Sequence, residues 1–175
     1  SKGNGESCVL SAYSSSVINL SNHFTTSLGI TAQYFTLNKN WTVEPRAALK
    51  WTFNPKHALA LAYGLHSRRE RLDYYFVEQE VNGKTESNRY LNFSKAHHFG
   101  LTYDWNINSY MHLKVEPYYQ YLFRIPVEEN SSFSIINHQS FYLERILKNR
   151  GSGVNYGIDI TLEQYMKNGF YYMIT

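Results

Sequence analysis

The sequence predicts an all-β fold: an antiparallel up-and-down transmembrane β-barrel segment of about eight long strands, part of a larger barrel. Three observations predict it. Hydropathy alternates with a period of two along most of the chain, as it does when successive side chains point to opposite faces of a strand. Several alternating stretches reach the roughly 9–11 residues that a tilted strand needs to cross a bilayer, against about 5–6 for an ordinary globular strand. The apolar face is rich in aromatic residues and the opposite face carries the charges, which suits lipid outside and water inside.

The composition narrows the classes. The chain has 175 residues, with 16 Tyr, 10 Phe, 18% charged residues and a formal charge of +3. That much aromatic residue with so little charge, at a mean hydropathy of -0.46, excludes a disordered chain and one that coats nucleic acid. No stretch approaches the roughly 18 uninterrupted apolar residues of a spanning helix. One cysteine, Cys8, excludes an intramolecular disulfide framework and a Cys-based zinc site. The opening Ser1-Lys2-Gly3-Asn4-Gly5 has no signal-peptide pattern, which leaves a cytoplasmic protein or a mature piece.

Each element follows from the alternation. Two strands, at about 8–20 and 24–36, are weakly patterned, and the first is Ser-rich at Ser14-Ser15-Ser16. From Val43 to Phe53 the odd positions are apolar (Val43, Pro45, Ala47, Leu49, Trp51, Phe53) and the even ones include Glu44, Arg46 and Lys50. After the turn Asn54-Pro55-Lys56-His57 the chain returns with Leu59, Leu61, Tyr63 and Leu65 on one face, completing a hairpin. Phe99, Leu101, Tyr103 and Trp105 mark the next strand, and Met111, Leu113, Val115, Pro117, Tyr119, Tyr121 and Phe123 the clearest one. Val154, Tyr156, Ile158, Ile160 and Leu162 mark a further strand, and another begins at Phe170. Pro45 lies near the start of its strand, but Pro117 is internal and calls for a bulge or an unpaired edge.

Connections near 20–24, 54–57, 107–110 and 167–169 are short, and those near 69–93 and 125–150 are long. They alternate, except that the connection near 37–42 is short where a long one is expected. Barrels of the outer membrane have short periplasmic turns and long extracellular loops, so the alternation assigns sidedness. Phe53, Trp105 and Phe170 then lie near the periplasmic ends, and Tyr119, Tyr121, Phe123 and Tyr156 near the extracellular ends, as two aromatic girdles.

The run Glu44-Pro45-Arg46-Ala47-Ala48-Leu49-Lys50-Trp51, the turn Asn54-Pro55, the return Ala62-Tyr63-Gly64-Leu65-His66-Ser67, the strand Leu113 to Leu122 with Pro126-Val127, and Asn155 to Glu163 together resemble the barrel of TonB-dependent outer-membrane receptors. The resemblance runs from about residue 8 to the end of the chain. It implies energised uptake of a scarce nutrient (a chelated metal, a vitamin or a glycan) in a Gram-negative outer membrane. The partners it implies are outer-membrane lipid, the receptor's own plug and remaining barrel strands, TonB acting through that plug, and the extracellular nutrient, with no nucleic acid. Such receptors have about 22 strands around an N-terminal plug. This sequence shows neither plug nor TonB-binding box, and it ends at Phe170 to Thr175 without a closing aromatic strand. Residues 1–175 are accordingly expected to form one partial barrel domain, an internal fragment.

Candidate sites are few. Arg68-Arg69-Glu70-Arg71 followed by Asp73-Tyr74-Tyr75-Phe76 opens the first long loop. Guanidinium forks bind oxyanions and aromatic faces stack, so Arg68, Arg69, Arg71, Tyr74 and Tyr75 are candidate ligand contacts. An outer-rim cluster pairing with lipid headgroups or neighbouring loops would use the same residues. Arg46, Lys50, Lys114, Glu116, Asp159 and Glu163 are expected to face the lumen as a ladder of cross-strand pairs. His97 and His98 point to opposite faces and do not readily share a metal, while His66, His112 and His138 are scattered without a ligand set. No Gly-x-Ser-x-Gly elbow is present, and Gly151-Ser152-Gly153 reads as a turn leading into a strand rather than a phosphate loop. Neither an enzyme nor a cofactor or metal is expected. Asn-x-Ser/Thr sites at Asn19, Asn40, Asn92 and Asn130 matter only in a eukaryotic secretory setting. Two other architectures fit parts of the pattern: a complete eight-stranded barrel with a structural or adhesive role, and a soluble sugar-binding β-domain with its aromatic faces buried between two sheets.

Overall fold

A computed structural model describes residues 7–81, 83–129, 131–137 and 143–175. Asn130 and His138 lie outside the described residues. Ten strands follow in order: β1 Val9–Asn19, β2 Phe24–Phe35, β3 Asn40–Asn54, β4 His57–Arg68, β5 Glu78–Val81, β6 Lys84–Ser87, β7 Ser94–Asn108, β8 Met111–Glu128, β9 Leu147–Lys167 and β10 Phe170–Ile174. Eight of them form one antiparallel sheet in the order β1-β2-β3-β4-β7-β8-β9-β10, and β5 and β6 form a separate hairpin within the first long loop. Neighbours in the sheet are neighbours in sequence, the up-and-down arrangement that the period-two pattern predicts. No pairing joins β1 to β10 among the described residues, so the sheet is the open sector of a barrel.

The register keeps like faces together. Leu61 lies between Leu49 and Leu101, and Val115 opposite Ile160. All of these side chains but Val115 are exposed on the apolar face, and no second sheet covers them among the described residues. The two-sheet alternative therefore fails. On the opposite face Arg46 lies between Gly29 and Gly64, and Gly64 is paired in turn with His98.

Aromatic side chains gather in two bands on the apolar face. At the end with the short turns, Phe24 stacks on Trp51, Trp51 packs against Phe53, and Phe53 and Trp105 both stack on His57 at 5.7–5.8 Å. Toward the other end, Phe99 touches Tyr63 and Tyr119, and His97 stacks on Phe123 at 4.9 Å.

The prolines settle differently from expectation. Pro117 causes neither a bulge nor an unpaired edge. It pairs with Ile158 on β9, and the β7–β8 ladder lapses at Leu101 and Thr102 without changing register. The missing N–H is thus absorbed as a local gap on one side. Pro45 marks the top of the β3–β4 ladder, which stops at Arg46–Gly64; above it the strands are joined by a hydrogen bond between the Thr42 and Ser67 hydroxyls, 2.8 Å apart.

The second long loop is shorter than the sequence suggests. Pairing of β8 with β9 continues past Phe123 to Glu128–Leu147, through register shifts on either side of Ile125. Arg124 there adopts a positive φ of 55°. Gly151 lies inside β9 rather than in a turn, because a Cβ on it would come within 2.6 Å of Val127 and 2.9 Å of the Ile125 carbonyl. Only a glycine lets the kinked strand approach that closely.

The main buried hydrophobic cluster lies at one end of the sheet, not across its face. Phe35, Tyr74, Tyr75, Leu91, Phe93, Ile125, Ile135, Leu143 and Leu147 cluster where the long connections fold over the strand tops. The short connection after β2 joins them through Leu37.

Candidate functional site

The cap is built from the chain's least regular segments, and its order comes from a few buried side chains. After Arg71 the chain makes a single 3-10 turn, Leu72–Phe76, that drives Tyr74 and Tyr75 inward. Tyr75 is 1% exposed and meets Phe35 edge-on at 5.2 Å. Its hydroxyl accepts the Glu70 N–H at 3.3 Å, and burial raises its phenol above the usual value. Glu70, 3% exposed, accepts from the Ser94 hydroxyl at 2.6 Å and from Arg68 at 3.4 Å.

The predicted ligand contacts divide into two groups. Tyr74 and Tyr75 are packing residues within the cap. Outward face the three arginines: Arg68 at the end of β4, Arg69 with its guanidinium 5.8 Å above the Phe35 ring, and Arg71, which grips Asp73 through two bonds of 3.0–3.2 Å and lies 5.4 Å over Tyr74. These residues, with Glu70, Leu72, Asp73 and Phe76, surround an open depression. Aromatic or acidic neighbours hold each guanidinium, and all three arginines are exposed.

Asparagines join the two long loops. The Asn88 side chain, 1% exposed, donates to the Arg145 carbonyl at 2.8 Å and accepts the Leu147 N–H at 2.7 Å. Asn149 donates to the carbonyls of Arg124 and Asn92 and accepts the Asn92 N–H. Asn38 donates to the carbonyls of Arg89 and Leu91. Where β8 leaves the sheet, Glu129 pairs with Lys148 and Arg150, and Arg145 pairs with Glu128 while lying over Phe133. The Lys148 ammonium, hydrogen-bonded to Glu129, holds that carboxyl below the ordinary range. Sequence reasoning missed Asn88 and Asn149, whose residue type reads as loop punctuation and whose partners are distant in sequence, and the buried role of Glu70, which reads as one charge of an exposed cluster.

Arg46, Lys50, Lys114, Glu116, Asp159 and Glu163 share the sheet's polar face by register and alternation. Among the described residues these six do not pair with one another across strands. Arg46 has only glycines beside it and turns along its own strand to Glu44 at 3.3 Å. Lys114 likewise pairs with Glu116 at 2.8 Å, since Asp104 opposite it is taken by His112 at 3.0 Å. Asp159 lies directly opposite Glu116, like charge against like.

No family model matches the chain, and no curated protein matches it. Solved structures do. The siderophore receptor PirA from Pseudomonas aeruginosa superposes with a TM-score of 0.72 at 10% identity, over 95% of this chain and 33% of that one. The fold is that of an open sector of a transmembrane-type antiparallel β-barrel. The ferric-catecholate import receptor Fiu from K12 E. coli, in its closed form, gives 0.68 at 9% identity over 93% of this chain and 26% of that one. The FrpB iron transporter from Neisseria meningitidis gives 0.63 at 10%, over 92% and 24%. The chain thus spans about a quarter to a third of the length of these receptors.

Proposed function

We propose that the chain is a barrel sector of a TonB-dependent outer-membrane receptor, that the capped end is extracellular, and that the nutrient is an anionic metal chelate. The observation that carries this reading is the asymmetry of the sheet. The short turns lie at one end, and both long connections fold at the other into a buried cap that presents Arg68, Arg69 and Arg71. The likeness to siderophore and iron receptors over nearly the whole chain supports the chelate over a vitamin or glycan. Ligand capture would fall to the exposed guanidinium edges, with Tyr74 and Tyr75 holding the loop beneath them. The polar face would line the lumen against the plug. No residue is assigned a covalent step.

Uptake of radiolabelled ferric chelates by iron-starved cells tests the reading. Replacing Arg68, Arg69 and Arg71 together by Glu should lower uptake of an anionic chelate roughly tenfold or more, as expected when charge-assisted hydrogen bonds of about 1.5–3 kcal/mol are lost, while surface display is unchanged. Uptake should also cease in cells lacking TonB. Full uptake without TonB, or by the triple variant, would overturn the proposal.

A further inference from the structure

Six histidines lie among the described residues, and four have a ring nitrogen committed within the protein. His23 meets the Thr52 carbonyl, His57 the Tyr103 hydroxyl, His97 the Tyr63 hydroxyl and His112 the Asp104 carboxylate, all at 2.8–3.0 Å. His66 and His98 have no such bond among the described residues. They are also the two that touch: their ring centres are 4.5 Å apart and their planes are inclined at 45°.

The sheet geometry brings them together. His66 pairs with Ala96 and His98 with Gly64, so the two are diagonal neighbours on the polar face of adjacent strands. The His66 ring lies over Gly64, where a Cβ would meet its Nε2 at 2.7 Å. Both rings open into a recess of about 500 Å³ with a floor of small residues. The nearby Arg46 is held by Glu44, which offsets its charge.

We infer that His66 and His98 form a two-imidazole site for a divalent transition metal ion of the Zn²⁺, Ni²⁺ or Cu²⁺ class, open to the recess. Imidazole is the commonest protein ligand for these ions. With a metal–nitrogen bond of about 2.0–2.1 Å, an ion lies roughly 3.2 Å from each ring centre, so the centres of two bound rings are roughly 4.5 Å apart at the right angle that Cu²⁺ and Ni²⁺ favour and roughly 5.2 Å apart in the tetrahedral shell of Zn²⁺. The observed 4.5 Å matches the first and is within a small ring movement of the second. Remaining coordination positions point into open space, where water or a donor atom of a passing ligand completes the shell, as in sites that keep an open position.

Metal titration of the full-length protein in detergent micelles tests this, and it reads binding without transport, so its failure leaves the receptor reading standing. Cu²⁺ should bind with a paramagnetic resonance spectrum showing coupling to two imidazole nitrogens, and Zn²⁺ should compete for the same site. His66→Ala or His98→Ala should weaken binding roughly 10–100-fold, and so should Gly64→Ala, which displaces a ring without removing a ligand. His97→Ala, on the opposite face, should leave binding unchanged. If a variant misassembles, protection of both histidines from diethyl pyrocarbonate by Zn²⁺ in the native protein gives the same answer. Coupling to one nitrogen or none, unaltered affinity in the His66→Ala/His98→Ala double variant, or absence of Zn²⁺ protection would overturn the site.

Discussion

Asn88 does with one side chain what a strand edge does with two peptide groups. Its amide nitrogen and oxygen reach a carbonyl and an N–H two residues apart on the second loop, copying the spacing of a β-ladder where no strand runs. Leu147 is buried and Arg145 is exposed, so removing the amide orphans the Leu147 N–H and leaves the Arg145 carbonyl to water. Asn88→Ala should destabilise the cap by about 1–3 kcal/mol, the cost of one buried group left unsatisfied. Amide exchange should accelerate across 72–93 and 143–147 while the sheet amides stay protected. In the sequence Asn88 is one asparagine among many in a polar stretch. Its role depends on a residue more than fifty positions away, which no local pattern encodes. The arginines beside it were legible because charge and residue type mark them directly, whereas the burial of Tyr74 and Tyr75 was not, because a tyrosine presents the same pattern whether it packs inward or outward.

At the level of elements, period-two alternation located the strands to within a few residues, because a lipid-facing strand repeats one constraint at every second position. It failed at the top of β8 and β9. There the strands leave the apolar belt, the alternation ends, and pairing continues through a kink at Arg124 held by the absence of a side chain at Gly151. Charge keeps that extension closed: Glu129 lies between Lys148 and Arg150. Its folded carboxyl titrates below the ordinary value of 4.5, so the pairing contributes stability above that pH and loses it as pH falls through the depressed folded value. Surface ion pairs contribute little each. Proteolysis next to Glu129 should therefore rise modestly as pH falls below the ordinary carboxylate range, and Glu129→Gln should lessen that pH dependence, the Glu128–Arg145 pair keeping the rest, while leaving susceptibility at neutral pH slightly raised.

On the scale of the whole molecule, the sheet is held laterally by backbone ladders and has two open edges, β1 and β10. Unpaired N–H and C=O groups of that kind cannot stand in hydrocarbon. Expressed by itself, the chain should associate through these edges: cross-linking between cysteines placed at Ser14 and Met173 should join separate copies, and a non-associating monomer in plain buffer would contradict the membrane-spanning architecture. That the sheet is open was legible in part from the weakly patterned, Ser-rich first strand. That its hydrophobic core gathers at the strand tops beneath the long connections was not, since the residues forming it are far apart in sequence. The Asn88 clasp adds a dimension of time. Its halves are 57–59 residues apart in the chain and lie on either side of the β7–β8 hairpin. The first loop must therefore wait, its amide unanswered, until that hairpin is in place and the second loop arrives. The clasp is thus a late step in assembly, and its closure reports that four consecutive strands have taken their register.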